Sequence, residues 1–217
     1  MRIPLTRYGY AQLWAYGSAL TLAAVLSGFY FPYVTPLFVI VLAWLFSFFR
    51  DPERRVPEGA ALLVAPADGR ITDIDEREED LLGGKVRRVS IFLSIFDVHI
   101  NRSPCSGRVV STEYRPGKFL SATNRESARV NESNDVLIES DEVAGARVLV
   151  RQIAGVIARR IVCECEPPSA LARGERFGMI KFGSRTDLFV PVEHLARLDV
   201  ETGQTVRAGS TVIGALR

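Results

Sequence analysis

An uncharged stretch occupies the first quarter of the chain. Residues 8–49 contain no Asp, Glu, Lys, Arg or His, and most of these 42 residues are apolar. As a single helix they would extend roughly 60 Å, about twice the hydrocarbon thickness of a bilayer. Two prolines, a glycine and several aromatic residues lie between Ser27 and Pro36, which predicts a bend there. The pattern therefore predicts a hydrophobic helical hairpin over residues 1–50.

Basic residues flank this hairpin. Arg2 and Arg7 lie at one end, and Arg50, Arg54 and Arg55 follow the other. The excess of positive charge predicts that both ends face the cytoplasm, where the second group would meet anionic lipid head groups. The second arm is short for a full crossing, so a spanning and a re-entrant hairpin both remain open. A buried hairpin of a soluble protein is the alternative, whereas the length of the run disfavours a cleaved signal peptide.

Beyond a proline-containing linker at residues 51–60, the hydrophobic pattern becomes strand-like. Short runs of β-branched and apolar residues recur at roughly ten-residue spacing, with Gly or Pro between them. This pattern predicts a mainly β (α+β) fold, an antiparallel β-sandwich or barrel-like domain over residues 61–217. Residues 118–129 and 168–173 are the best helix candidates in this part.

A short motif occurs twice in the β region. Pro66 is followed after two residues by Gly69-Arg70-Ile71, and Pro104 by Gly107-Arg108-Val109. The tail, residues 201–209, resembles the hammerhead strands of biotinyl and lipoyl domains but lacks their lysine-bearing tip. These echoes indicate a shared β-architecture and carry no information on chemistry. They also leave open a membrane-anchored β-domain that acts as a scaffold or adaptor.

The amino-acid composition argues against several classes of function. The 217 residues suffice for one domain of moderate size and an appendage. A net charge of +2, without a basic stretch interleaved with aromatics, argues against a nucleic-acid partner. Cys105, Cys163 and Cys165 fit neither a disulfide framework nor a usual zinc pair, and the chain has only two histidines. We therefore expect no metal site.

Three residues could carry chemistry. Ser184 follows Gly183 between two apolar runs, where a tight turn is the plain explanation. A hydroxyl held against the Gly183 carbonyl could instead convert the amide into an ester, because glycine tolerates strained backbone. Asp68 fits a turn-stabilising aspartate, and His99 fits a buried histidine at the end of a strand. Taken singly, each residue has an ordinary structural explanation.

In their order along the chain, however, these segments resemble a known family. The hydrophobic N-terminus and residues 65–69, 92–104, 114–119 and 182–189 resemble the phosphatidylserine decarboxylase proenzymes of the short bacterial form. The resemblance implies self-cleavage between Gly183 and Ser184 into a β chain, residues 1–183, and an α chain, residues 184–217. Ser184 would become a covalent pyruvoyl cofactor. That group would form a Schiff base with phosphatidylserine and accept electrons as CO2 leaves, giving phosphatidylethanolamine.

The resemblance also implies roles for other residues. His99 would deliver the proton, and Asp68 matches the family's aspartate that activates the serine. Long-form enzymes carry a second histidine where this chain has Arg102, so it stays open whether His99 serves both reactions or Asp68 drives maturation alone. Arg102, Lys118 and Arg185 are weak candidates for binding the substrate's phosphate or carboxylate, and solvated surface charge is the alternative for each.

The implied partners are the lipid substrate and the bilayer. The resemblance predicts a location at the cytoplasmic face of the inner membrane and a homo-oligomer of αβ units. The scaffold alternative predicts a single uncleaved chain with long coiled-coil heptads, and the sequence contains no such heptads. A pyruvoyl enzyme for a soluble amino acid would leave the hydrophobic hairpin without a role.

Overall fold

The computed structural model describes residues 4–118, 130–155, 160–181 and 184–217. By contacts between Cα atoms the chain divides into two compact units, Met1–Glu53 and Arg54–Arg217.

The first unit is a pair of packed helices, α1 (Tyr10–Tyr30) and α2 (Thr35–Phe48), preceded by a 3-10 turn at Arg7–Gly9. The predicted bend is therefore a four-residue connection at residues 31–34, and Pro36 lies in the first turn of α2, where a missing N–H costs nothing. Ser27 and Thr35 bring their hydroxyl oxygens to 3.0 Å across the bend. The predicted helical hairpin is confirmed.

The helix pair exposes much of its apolar surface. Trp14, Phe29 and Tyr33 are at least three-quarters exposed. Arg7–Tyr30 is long and apolar enough to cross a membrane, whereas α2 is shorter. Aromatic and aliphatic side chains on all sides of a helix pair are typical of a segment solvated by lipid.

The second unit is an antiparallel β domain. Its strands are β1 (Leu62–Val64), β2 (Gly69–Glu79), β3 (Gly84–Leu93), β4 (Ile100–Arg102), β5 (Gly107–Arg115), β6 (Ser133–Ser140), β7 (Arg147–Ile153), β8 (Ile161–Cys163), β9 (Ala170–Leu171), β10 (Arg176–Ile180), β11 (Ser184–Pro191), β12 (Leu195–Leu198), β13 (Thr205–Val206) and β14 (Val212–Leu216). One sheet has the order β13-β2-β3-β11-β7-β6-β5-β9, and two three-stranded sheets have the orders β1-β14-β12 and β4-β10-β8. The predicted mainly β, antiparallel fold is confirmed.

The two helix candidates fare differently. Residues 168–173 contain strand β9, so a helix there is wrong. Ala170 and Leu171 pair with the start of β5, and this pairing overrides their helical preference. Of residues 118–129, only Lys118 is described; it forms an isolated bridge to Asn131, and the rest of that prediction lies outside the described residues.

The strands form two lobes of the same design. The first lobe contains β1, β2, β3 and β11–β14, and the second contains β4–β10. Each lobe contributes four neighbouring strands to the long sheet and one complete three-stranded sheet. The lobes join in the long sheet through β11 and β7, whose central pair is Asp187 opposite Arg151. The result is a pseudo-twofold arrangement.

The repeated sequence motif occupies equivalent positions in the two lobes. The Val64 N–H donates to the Pro104 carbonyl at 2.8 Å, and reciprocally the Arg102 N–H donates to the Pro66 carbonyl at 2.9 Å. Each motif thus binds the strand that leads into the other. The sequence echo is therefore a true structural repeat.

The motif glycines are needed for the same close approach in each lobe. A Cβ atom on Gly69 would lie 2.1 Å from the carbonyl oxygen of Phe92 on the neighbouring strand, and one on Gly107 would lie 2.2 Å from that of Glu139. No side chain fits at such distances, so glycine lets each hairpin begin in contact with its partner strand.

The chain passes from one lobe to the other twice. It leaves the first lobe through residues 94–99, between β3 and β4, and returns between β10 and β11. Phe182 and Gly183, in the second crossing, lie outside the described residues. The first crossing begins and the second ends at the same end of the long sheet, because Ser184 pairs with Leu93, the last residue of β3.

Candidate active site

His99 lies at the end of the first crossing and is fully buried. Its Nδ1 is 3.0 Å from the Asp97 carbonyl oxygen, which can only accept a hydrogen bond. Nδ1 therefore carries the proton of the neutral ring, and Nε2 is the nitrogen that can take up or release a proton. The Ile180 N–H donates to the His99 carbonyl at 3.2 Å. This bond fixes His99 beside the end of β10, directly before the second crossing.

Ser184 is the first residue of β11, immediately after the second crossing, and it too is fully buried. Within the described part of the chain its Oγ has no hydrogen-bond partner. A buried hydroxyl left unpaired costs about 1–3 kcal/mol, so such groups are uncommon outside strained or reactive positions. Gly183, the other half of the predicted cleavage site, lies outside the described residues.

Asp68 lies in the turn between β1 and β2 and is also buried. Its carboxylate accepts one hydrogen bond from the Ala208 N–H at 2.8 Å and one from Arg54 Nη2 at 2.6 Å. The next residue, Gly69, is the one that approaches Phe92 near the end of β3. The structure therefore brings Asp68 to the lobe junction, with its carboxylate bound by Arg54 and the Ala208 amide.

Burial raises the pKa of Asp68 above the ordinary aspartate value. The Arg54 charge and the hydrogen bonds from Ala208 and Arg54 lower that pKa, but they offset the loss of hydration only in part. The Asp97 carboxylate in the first crossing raises it slightly further. This carboxylate is therefore easier to protonate than an exposed one, as a proton-accepting group at a reaction centre should be.

The three basic candidates lie in different surroundings. Arg102 is buried and its Nη1 donates to the Gly174 carbonyl at 2.9 Å. Arg185 is buried on the face of β11 opposite to Ser184, where its guanidinium binds Asp187 at 2.6 and 3.0 Å. Lys118 is exposed. Both arginines therefore donate hydrogen bonds to groups inside the protein, whereas the Lys118 side chain lies on the surface.

Two contributions to the site were not predicted from the sequence. Arg54, interpreted there as a head-group contact, is the cation that pairs with Asp68. Asn101, two residues after His99, is completely buried and hydrogen-bonded to Thr186, two residues after Ser184. Pairings over such sequence separations leave no local pattern that could have revealed them.

Comparison with known proteins agrees with this geometry. Residues 41–214 match the family model for phosphatidylserine decarboxylase. The chain belongs to the phosphatidylserine decarboxylase family. It is 46% identical over 97% of its length to the phosphatidylserine decarboxylase proenzyme of Rhodopirellula baltica, with 87% of that protein covered. It is 45% identical to the proenzyme of Symbiobacterium thermophilum, with 94% of the chain and 93% of that protein covered, and 38% identical to that of Geobacter sp. strain M21, with 98% and 97% covered.

Membership confirms the predicted family and the predicted enzyme class, a carboxy-lyase whose pyruvoyl cofactor arises by self-cleavage of a proenzyme. The buried hydroxyl of Ser184, which has no hydrogen-bond partner among the described residues, fits the precursor of such a group. In the described ranges no cluster of three or more His, Cys, Asp or Glu residues could hold a metal ion. The roles of individual residues are taken up below as proposals.

Proposed function

We propose that this decarboxylase cleaves itself between Gly183 and Ser184 and then converts phosphatidylserine to phosphatidylethanolamine and CO2 at a membrane. The observation that carries the residue assignment is the Ser184 hydroxyl, buried and without a described partner at the junction of the two lobes. His99 and Asp68 occupy the same junction, one in the first crossing and one in the turn beside it.

In the cleavage step Ser184 Oγ attacks the Gly183 carbonyl carbon and loses its proton, and the C–N bond breaks to leave an ester. Removal of the Ser184 α-proton then breaks the Oγ–Cβ bond and releases the β chain with a carboxylate at Gly183. Water hydrolyses the remaining dehydroalanine to a pyruvoyl group and ammonia. Asp68 and His99 Nε2 are the groups proposed to accept and return the protons.

In the decarboxylation the pyruvoyl carbonyl supplies the electron sink that amino-acid side chains lack. His99 then has a second task, to deliver a proton from Nε2 to the substrate's α-carbon. The hydrogen bond from Nδ1–H to the Asp97 carbonyl supports this assignment, because it fixes both the ring and its tautomer. A shared histidine also accounts for Arg102, which replaces the second histidine of long-form enzymes and is buried against Gly174.

The strand order explains how the α chain can remain bound after cleavage. Residues 184–217 supply four of the seven strands of the first lobe, and β11 pairs along its whole length with β3 and through residues 185–189 with β7. Every residue of β11 is buried. The proposed cut therefore severs a crossing between lobes and leaves the sheet hydrogen bonds intact.

Membrane attachment through the hairpin completes the proposal. The long apolar α1 and its exposed aromatic residues support insertion into a bilayer, and the flanking arginines support the cytoplasmic face of the inner membrane. Lys118, exposed and bridged to Asn131 near the start of β6, is the best placed of the three basic candidates to reach a lipid phosphate. A homo-oligomer of αβ units rests on family resemblance alone, and native mass spectrometry of the detergent-solubilised protein tests it.

The shared role of His99 has a direct test. For His99→Ala we expect both proenzyme processing, followed by gel electrophoresis, and CO2 release from phosphatidylserine vesicles to be lost. His194→Ala, which changes the other histidine near the C-terminus, is the control and should retain both. Complete processing of His99→Ala with loss of CO2 release would assign maturation to Asp68 without the histidine.

A further inference from the structure

Four polar side chains form a continuous hydrogen-bonded line through the interior of the β domain. Asn134 Nδ2 donates to Gln152 Oε1 at 3.0 Å, Gln152 Nε2 donates to Asn101 Oδ1 at 2.9 Å, and Asn101 Nδ2 donates to Thr186 Oγ1 at 3.1 Å. All four residues are at most 5% exposed. We call this line the buried amide chain; it begins in β6 and ends on β11.

The buried amide chain ties together the three segments that carry the candidate chemistry. Asn101 lies two residues after His99, and Thr186 two residues after Ser184 on the same face of β11. Asn101 Nδ2 also approaches the Pro66 carbonyl, in the turn that holds Asp68, at 3.5 Å. One amide group thus contacts both the Ser184 strand and the Asp68 turn from the strand that follows His99.

The positions related to these by the pseudo-twofold show that the fold does not need these polar groups. Asn101 pairs with Gly178 in the second lobe as Leu63 pairs with Gly214 in the first. The positions equivalent to Asn101, Thr186 and Gln152 are Leu63, Val148 and Val190.

The register of the strands fixes this correspondence. Thr186 lies opposite Ile91, which pairs with Ile71 one residue after Arg70 of the repeated motif. Val148 lies opposite Ile138, which pairs with Val109 at the same place after the second motif. Gln152 and Val190 are each four residues further along their strands. Leu63, Val148 and Val190 all belong to the apolar core. The same strand arrangement therefore packs with apolar side chains at the positions that lie away from the candidate site.

We propose that Asn101, Thr186 and Gln152 are positioning residues for self-cleavage, which hold the Ser184 strand in register with the Asp68 turn. The inference rests on the proposed cleavage at Ser184. Buried polar side chains cost desolvation that an apolar set of the same shape avoids. Their presence in only one of the two symmetry-related sets of positions is therefore explained by the site and not by folding. Attack on a neighbouring peptide bond depends steeply on alignment, and an error of about 1 Å can cost a hundredfold in rate.

A pair of substitutions at Thr186 separates positioning from packing. Thr186→Val removes the acceptor for Asn101 Nδ2 and introduces the residue found at position 148, whereas Thr186→Ser keeps the hydroxyl. In pulse-chase translation of the full chain into vesicles, we expect the processing half-time to rise at least tenfold for Thr186→Val and to stay within threefold for Thr186→Ser. Processing of Thr186→Val at the wild-type rate overturns the proposal.

Thermal unfolding measures the stability of each variant, on which processing would depend if Thr186 served only to pack the interior. Both changes are also made in a Ser184→Ala background, so that every chain stays uncleaved. Because Thr186→Val leaves the buried Asn101 Nδ2 without its acceptor, which costs about 1–3 kcal/mol, we expect its unfolding midpoint to fall by about 3–10 °C while the proenzyme stays folded at the assay temperature. Equally slow processing in Gly107→Ala, whose midpoint should fall by a similar amount without touching the buried amide chain, would make the effect one of stability and would overturn the proposal.

A triple variant copies the apolar set found at the symmetry-related positions. Asn101→Leu, Thr186→Val and Gln152→Val leave no partner stranded among these three positions, and of the buried amide chain only Asn134 Nδ2 loses its acceptor. We expect a folded proenzyme whose processing is slower than that of Thr186→Val alone. A triple variant that does not fold shows that the chain is a packing requirement, and one that processes within threefold of wild type shows that it is dispensable; either result overturns the inference. Cleavage of Ser184→Ala itself would instead refute the proposed cleavage site, whatever the Thr186 variants do.

Discussion

The two lobes of the β domain share an architecture but differ in the residues that can react. The strand that contains Ser184 in the first lobe corresponds to the strand after Ala146 in the second. Ser184 pairs with Leu93 at the end of β3, and the Ser140 N–H at the end of β6 donates to the Ala146 carbonyl at 2.8 Å. The sequences around them are Gly-Ser-Arg at 183–185 and Gly-Ala-Arg at 145–147. One hydroxyl distinguishes the two sites locally.

The turn before each hairpin shows the same contrast. Asp68 Oδ1 accepts the Ala208 N–H at 2.8 Å, and in the second lobe Ser106 Oγ accepts the Arg173 N–H at 3.2 Å. In both lobes a side-chain oxygen in the turn accepts a backbone N–H. Only in the first lobe does that oxygen belong to a carboxylate, which is paired with Arg54. The β-architecture thus provides the same frame in both lobes, and the proposed chemistry depends on a few side chains that are found in only one of the two equivalent places.

The largest expected effect comes from exchanging the two hydroxyl positions. Ser184→Ala should abolish both cleavage and CO2 release, because no other group can become the keto function. The double variant Ser184→Ala with Ala146→Ser carries Gly-Ser-Arg only in the second lobe, where Ser106 replaces the carboxylate. We expect it to remain full length on denaturing gels. Cleavage between residues 145 and 146 would show that the shared β-architecture and a serine are sufficient for self-cleavage, and would contradict the proposed role of the other side chains.

The second prediction makes the two turns alike. Asp68→Ser should still accept the Ala208 N–H, as Ser106 accepts its counterpart, so the turn should form. Without a carboxylate to take the hydroxyl proton, we expect processing to slow at least about a hundredfold. Ser106→Ala is the matched control, which loses the cap of the other turn but should process at a near-normal rate. Normal processing of Asp68→Ser, measured by pulse-chase, would remove Asp68 from the reaction.

A pH profile sharpens the role of the Arg54–Asp68 pair. Because burial raises the pKa of Asp68, ionised carboxylate should be lost at a higher pH than for an exposed aspartate as the solution is acidified. The processing rate should fall with an inflection above the ordinary aspartate value. Arg54→Gln removes a charge that lowers this pKa, so the inflection should move to higher pH. Arg55→Gln, at an exposed neighbouring position, should leave it in place.

The smallest effects should come from substitutions that change stability alone, to a similar extent in the two lobes. Gly69→Ala and Gly107→Ala both place a methyl group against a backbone carbonyl, and each should lower the free energy of unfolding by about 2–3 kcal/mol. Gly69→Ala should cost somewhat more, because Gly69 has a φ of +150°. In a Ser184→Ala background these changes should lower the melting temperature by about 5–10 °C. Gly84→Ala, where the added Cβ meets nothing within 4 Å, should be nearly neutral.

Local pattern was enough to predict the parts of the fold that depend on neighbouring residues. The uncharged run and its two prolines gave the helix pair, and the alternation of apolar runs with turn residues gave the antiparallel strands. The Pro66 and Pro104 motifs even indicated the repeat, because both glycines are required by the same backbone contact. The helix predicted at 168–173 was wrong, since pairing with β5 decides the conformation of Ala170 and Leu171.

The candidate site was predictable only in outline. Ser184, His99 and Asp68 were candidates from the sequence and took their roles from a family resemblance. In the structure His99 ends the first crossing between lobes, Ser184 follows the second, and Asp68 lies in the turn before β2. Arg54 and Asn101 could not have been found, because their partners Asp68 and Thr186 are 14 and 85 residues away in sequence. Contacts of that kind follow from topology, which a hydrophobic pattern does not encode.

Denaturing mass spectrometry of the purified wild-type protein shows whether the bond between Gly183 and Ser184 is cut. Self-cleavage at this bond predicts two chains, residues 1–183 and residues 184–217, the second blocked at its amino terminus by a pyruvoyl group in place of Ser184. A protein that releases CO2 from phosphatidylserine vesicles while its mass remains that of the intact 217-residue chain would contradict it.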